Sequence, residues 1–182
     1  MTGSGFLPVT IMNNKLMFLF GLESECEKSA KGWSDFAGGM EKNENDSSIK
    51  DIYDSALREF AEETSGFLGG PTEIRNLVKR NGGHIVYSHD NNGSKYHIHL
   101  FRLDFDDKLI KYYNTSHKYL YQKLNHKLLQ DTKVFEKVEL RWFTIDMMRK
   151  NRNSFRKFYR EIVDELILHS EAIKTFIKST TI

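Results

Sequence analysis

The 182-residue chain holds a single cysteine, Cys26, and only two prolines. One thiol excludes an internal disulfide framework and any cysteine-based zinc cluster. Long apolar runs are missing too. The longest, Leu16-Met17-Phe18-Leu19-Phe20, falls far short of the ~20 residues a bilayer-spanning helix needs. No basic region followed by an apolar run stands at the N-terminus, so no secretory signal is read there. Glycine-rich loops of the P-loop or dinucleotide type are absent, as is a serine nucleophile elbow. These absences predict a soluble, intracellular (cytoplasmic) protein with no membrane partner.

What is present is enough for a core. Hydrophobic residues make up 39% and charged residues 29%, a composition of globular rather than disordered chains. At roughly 150 residues per domain, the length suits one domain with an appendage. The net charge of +2 conceals an asymmetry: residues 1–107 hold 11 Lys/Arg against 17 Asp/Glu, and residues 108–182 hold 16 against 8. Such a division suits a cation at one end and a polyanion at the other.

Along the chain, Phe6–Met12 and Lys15–Leu22 read as strands joined by the turn pair Asn13-Asn14. Trp33–Ala37 is a third extended run, stopped by Gly38-Gly39, and a polar loop follows to about Ser47. A helix begins there, with Ser47 or Ser48 as N-cap and Asp51 in the first turn, and runs to about Thr64, with Gly66 as its stop. After Pro71 the chain reads as strand-like. His84–Ser88 and Lys95–Phe105 form a hairpin around an Asn-Gly turn. Residues 108–129 read as a helical insertion, Val134–Ile145 as a strand, and Ser154 to about Lys178 as one amphipathic helix. The expected architecture is α+β, a mixed sheet sandwiched by helices.

The densest chemistry is Arg58-Glu59-Phe60-Ala61-Glu62-Glu63. On a helix, Glu62 lies about 60° to one side of Glu59 and Glu63 about 40° to the other. Three carboxylates thus crowd one stripe, while Tyr53, Ala56, Leu57 and Phe60 form a separate, buriable one. Such crowding is explained if something cationic sits there. Hard cations such as Mg²⁺ take one or two carboxylates together with substrate phosphates and water. The competing explanation is a solvated acidic face.

With Gly38-Gly39 upstream and Glu63-Thr64-Ser65-Gly66-Phe67 downstream, the segment resembles the box of the Nudix hydrolases. In that box a glycine is followed, after thirteen residues, by Arg-Glu, an apolar residue, any residue, Glu-Glu, any residue, Gly. Gly39 would open it, Arg58–Thr64 matches its core, and Gly66-Phe67 closes it. The flanking Trp33–Glu41 and Phe135–Asp146 are similar to strands of the same family. The resemblance covers residues 6 to about 148. Two departures stand out. Eighteen residues separate Gly39 from Arg58, and the first box glutamate is replaced by Lys50, with Glu41, Glu44 and Asp46 as substitutes. The closing glycine also comes one place late, after Ser65.

The resemblance implies a MutT-like α/β/α sandwich over residues 1–148, with the box at about 39–67. Residues 149–182 would be an extra basic C-terminal helix packed on that domain. It implies a pyrophosphohydrolase using two or more Mg²⁺ or Mn²⁺ ions, held by the Gly39 carbonyl and by Glu59, Glu62 and Glu63. Glu59 would also handle the attacking water, and Arg58 would orient a carboxylate. A second catalytic acid is sought at Glu136 or Glu139, with Glu139 the stronger candidate. Capped RNA is the expected substrate, since the box looks like those of viral and eukaryotic decapping members. Diphosphoinositol polyphosphates and dinucleotides are the alternatives, and a non-catalytic RNA-binding module is the reading from another class. The extra motif of coenzyme A hydrolases and the distal proline of ADP-ribose pyrophosphatases are missing.

Two other constellations bear on function. His97 and His99 share a strand face; without further ligands at matching spacing they read as a polar sheet face or cleft wall rather than a zinc site. The segment Arg149–Arg160 holds six basic residues and three aromatics. Its Arg152, Arg156, Lys157 and Arg160 are the candidate contacts to a phosphorylated substrate.

Overall fold

The computed structural model describes residues 3–24, 31–39, 49–91, 93–125, 127 and 136–180. Seven strands form one mixed sheet: β1 (Gly3–Met12), β2 (Lys15–Glu23), β3 (Trp33–Ser34), β4 (Phe36–Gly39), β5 (His84–Asn91), β6 (Ser94–Arg102) and β7 (Lys137–Thr144). The helices are α1 (Ile49–Glu63), α2 (Pro71–Arg80), α3 (Asp107–Lys123), α4 (Ile145–Lys150), α5 (Tyr159–Leu168) and α6 (Ser170–Ser179), with a 3₁₀ turn at Arg152–Ser154. No helix among the described residues is long and apolar enough to cross a membrane.

Alternation along the strands builds a core on each face. Phe18 and Phe20 point to one side with Leu7, Ile98 and Leu100, where α5 and α6 supply Ile162, Leu166, Ile173 and Ile177. Leu19, Phe6 and Phe101 point to the other, against Ala56, Leu57 and Phe60 of α1 and Ile74 and Val78 of α2. The result is the expected helix–sheet–helix sandwich.

The sheet splits in the middle. β1 pairs with β6 in parallel from Gly3 to Val9 and with β2 only from Val9 to Met12. On the N-terminal side of Val9, β1 and β2 part, and Trp33–Gly39 fills the gap: β3 runs along β2 at Gly21 and Leu22, and β4 along β1 at Gly3–Phe6. Asp35 sits where the segment crosses from one to the other.

Two expectations need correction. Pro71–Arg80 is a helix, not extended chain. Pro71 fits a first turn, the Gly70 N–H donates to Glu73 Oε2 at 3.0 Å, and Ile74 and Val78 bury one face. The C-terminal segment is two helices joined at His169 rather than one from Ser154. Phe155 forms a bridge with Trp33 and the Arg156 N–H donates to Trp33 O; a turn at 157–158 follows, so the helix starts only at Tyr159. Residues 124–129 of the expected insertion lie outside the described residues except 124, 125 and 127.

The far edge of β7 is closed by a side chain. Asn114 of α3 donates to Leu140 O at 3.0 Å and accepts from Leu140 N at 2.8 Å, satisfying strand backbone as a neighbouring strand would.

Candidate active site

Helix α1 leans on the glycine bend at the end of β4. Gly38 lies so close to the Glu59 carboxylate that any β-carbon there would collide with it. The three box glutamates then diverge, because Glu62 and Glu63 fall on opposite flanks of Glu59. The Glu62 side chain is 59% exposed and that of Glu63 only 3%. A single guanidinium spans the outer two: Arg58 Nη2 meets Glu59 Oε1 at 2.7 Å and Nη1 meets Glu62 Oε2 at 3.1 Å. Burial pushes the Glu59 carboxyl above its ordinary value; Arg58 opposes this, while Glu62 and Glu136 add to it.

Glu63 turns inward. Its Oε2 accepts from the Ala37 N–H at 2.8 Å and its Oε1 lies 3.3 Å from Lys137 Nζ. Lys137 is fully buried and also donates to Glu23 Oε1 at 2.5 Å and Ser34 Oγ at 2.9 Å. Arg156 Nη1 reaches the same Glu23 oxygen at 2.9 Å. Burial works against the Lys137 ammonium, yet Glu63 and Glu23 outweigh it and hold its pKa above the usual lysine value. The repulsion that sequence spacing implies is therefore met by two cations of the protein's own, Arg58 and Lys137.

Asp35 is buried at the strand crossing, accepting from Tyr96 OH at 2.7 Å. Desolvation raises it to about 7, against the opposing pull of Tyr96, Lys137, Arg156 and Tyr159. A carboxyl bound more tightly to its proton in the fold than in the open chain stabilises at low pH and loses that contribution as pH climbs through the folded value. Lowering the pH from 8 to 5 should thus raise the melting temperature through this group. Asp35→Asn, whose amide mimics the protonated acid, should flatten that slope; a calorimetric pH series that keeps the native slope would refute the assignment.

At the end of α1 the chain closes in a Schellman turn: Ser65 N donates to Glu62 O and Gly66 N to Ala61 O. Ser65 stands where the Nudix pattern places glycine and adopts a φ of 51°, so a non-glycine residue carries the left-handed position. Its hydroxyl meets His117 Nε2 at 3.1 Å. Ser65→Ala keeps the strained backbone and removes that contact; a loss of about 1 kcal/mol is expected in denaturant unfolding, and no change would show the contact to be idle.

His117 stacks on Tyr113, ring centroids 3.8 Å apart. The Tyr113 hydroxyl donates toward both Glu63 O and Lys137 O at 2.9 Å. This ties α3 to the end of α1 and the start of β7. Between α3 and β7 lies a cavity of about 540 Å³ lined by Ser24, Asn114, His117, Tyr121, Val138 and Glu139, among others. Ser24 N donates to Glu136 O, so the cavity adjoins the acidic cluster.

The remaining sequence candidates fall as follows. Glu136 is the β7-side carboxylate that acts on both Glu59 and Glu63. Glu139 instead lines the cavity and pairs with Arg141 at 2.5 Å. Arg152 binds Asp164 at 2.6 Å, Arg156 is committed to Glu23, and Arg160 donates to Phe155 O and Asn153 O. Lys157 is exposed. Three of the four proposed substrate contacts therefore hold the protein together. His99 is buried beside Phe6 and His84, and burial lowers it to about 3; His97 faces Ser88 Oγ at 2.8 Å. Both belong to the sheet face. Gly39 ends β4, one residue past the glycine that touches Glu59. Glu41, Glu44, Asp46 and Cys26 lie outside the described residues, and nothing is described of the Lys50 side chain. Sequence reasoning missed Lys137, Glu23 and Asp35; the nearest signal was Gly21, whose missing side chain makes room for the Lys137 stem.

Among the described residues, no three His, Cys, Asp or Glu side chains converge to hold a metal ion. Glu59 and Glu62 do offer the two carboxylates that Mg²⁺ takes when substrate phosphates and water complete its shell. They fit one such ion. Glu63, with both oxygens engaged, does not fit a second.

No family model matches the chain, and no curated protein matches it. Among solved structures it is similar to the Ap4A hydrolase of C. elegans in a binary complex, at 14% identity and a TM-score of 0.48, over 96% of this chain and 97% of that one. A second structure of the C. elegans Ap4A hydrolase gives 13% identity and a TM-score of 0.43, over 94% and 95%. Shewanella oneidensis NrtR gives 9% identity and a TM-score of 0.41, over 90% of this chain and 60% of that one. At such identities the likeness is one of chain course, and the chemistry rests on the residues described above.

Proposed function

We propose that this chain is a divalent-metal-dependent hydrolase of the Nudix kind, cleaving a diphosphate linkage in a nucleoside-containing substrate. One observation carries the reading. The half-buried Glu59 carboxylate, its pKa raised, is pressed against Gly38 at the split in the sheet, sharing Arg58 with Glu62 and flanked by Glu136. A bound Mg²⁺ or Mn²⁺ would neutralise phosphate charge and lower the pKa of a water nucleophile. Glu59, held against Gly38 by the glycine bend, would take a proton from the attacking water. Arg58 would fix the aim of Glu59 through a charge-assisted hydrogen bond at 2.7 Å. The neighbouring cavity, at about 540 Å³ and with Tyr121 in its wall, is within the range of ligand pockets.

Capped RNA and a free dinucleotide share this chemistry. The commitment of Arg152, Arg156 and Arg160 to internal partners favours the free dinucleotide over a long RNA or a diphosphoinositol polyphosphate, both of which call for a broad basic face. It equally weighs against a non-catalytic RNA-binding module built on the same stripe. The deciding experiment is a panel of capped RNA, dinucleoside polyphosphates, diphosphoinositol polyphosphates and nucleoside triphosphates, with Mg²⁺ or Mn²⁺, read by product mass. Metal-dependent cleavage of a nucleoside diphosphate linkage is expected. No metal-dependent product from any member would end the hydrolase reading.

A further inference from the structure

We propose that Lys137 is a built-in cation occupying the position a second metal ion would otherwise take. The site then binds one divalent cation, and Glu63 is not among its ligands. The inference rests on the hydrolase reading and narrows it.

The lysine has a site made for it. Its ammonium donates to Glu23 Oε1 at 2.5 Å and Ser34 Oγ at 2.9 Å and pairs with Glu63 Oε1 at 3.3 Å. Its stem crosses Gly21, where a β-carbon would come within 2.7 Å of Lys137 Cδ. Glycine inside a strand is unfavourable unless something passes close by, and at Gly21 the lysine stem is what passes. Glu63 is likewise fully engaged, one oxygen on the ammonium and the other on the Ala37 N–H.

Charge closes the account of the cluster. Lys137 faces both Glu23 and Glu63, Arg156 reaches Glu23 as well, and the charges of Asp35 and Glu136 also act on Glu63. A divalent ion placed there would meet the fully buried Lys137 ammonium and the nearby Arg156, and like charges repel strongly in a buried setting. Glu59 and Glu62 differ in kind. They lie at the rim, and Glu62 is exposed enough to swing from Arg58 to an arriving ion.

The test is Mn²⁺ binding, followed by electron paramagnetic resonance and calorimetry, on the native chain and on Glu63→Gln, Lys137→Met and Glu59→Gln. The native chain should take one equivalent, and Glu63→Gln should leave its number and affinity unchanged. Lys137→Met should take an additional equivalent, and its melting temperature should rise with Mn²⁺ well beyond any rise in the native chain. A second equivalent on the native chain, or a loss of roughly tenfold or more in affinity with Glu63→Gln, overturns the inference. If Lys137→Met does not fold, Glu63→Gln alone decides. If Glu59→Gln also leaves Mn²⁺ binding intact, or the native chain binds none, the hydrolase reading falls separately. The Lys137 assignment is then decided by whether Lys137→Met gains an ion, and no gain overturns it.

Discussion

Lys137→Met, measured with a chelator present, should lower stability by about 3–5 kcal/mol, the range for removing one partner of a buried ion pair. For a chain of this length that corresponds to a melting temperature lower by on the order of 10 °C. The reason is asymmetry. Methionine replaces the buried stem adequately, but Glu23 and Glu63 are left with Arg156 as their nearest cation, and Arg156 reaches only Glu23. The orphaned Glu63 must either keep an uncompensated charge or take up a proton, and both options weaken the fold at neutral pH. Adding Glu63→Gln to Lys137→Met removes that charge, so the double variant should recover a substantial part of the loss. A single variant that melts with the native protein would show the cluster to be slack.

Glu59→Gln should reduce turnover by roughly 10²- to 10⁴-fold, the usual contribution of a positioned general base, with the fold kept. Glutamine is nearly isosteric, so the contact with Gly38 survives, and its carbonyl can still accept from Arg58. Only proton acceptance and anionic charge are lost. Stability should change little, which separates this variant from Lys137→Met. Full activity in Glu59→Gln would remove Glu59 from the mechanism and move attention to Glu136.

Local rules made much of the architecture readable. The Asn13-Asn14 pair does take positive φ at both positions, 49° and 59°, and joins β1 to β2. The box helix lies where its apolar stripe indicated, and the Asn-Gly signal marks the β5–β6 hairpin. The Pro71–Arg80 helix also carries a local signal, since Ile74 and Val78 are four apart behind an N-terminal proline. The failures inside the site are of another sort. Lys137 stands in an alternating strand pattern where a lysine reads as solvated, and what buries it is Gly21 and Glu23, more than a hundred positions away. The arginines of the C-terminal segment show their charge in the sequence but not their partners. Adjacent glutamates at 62 and 63 look equivalent in the pattern, yet a rotation of about 100° sends one into solvent and the other beneath the sheet.

The amide of Asn114 has a consequence for the company this protein keeps. A strand at the margin of a sheet, left open, invites a second molecule to dock along it and can seed association. Here the clamp occupies the N–H and C=O of Leu140, two of the backbone groups such an intruder would need, and α3 packs along that side. Asn114→Leu should therefore make the protein stickier at high concentration through a newly exposed ladder, a change light scattering would register as growing particle size.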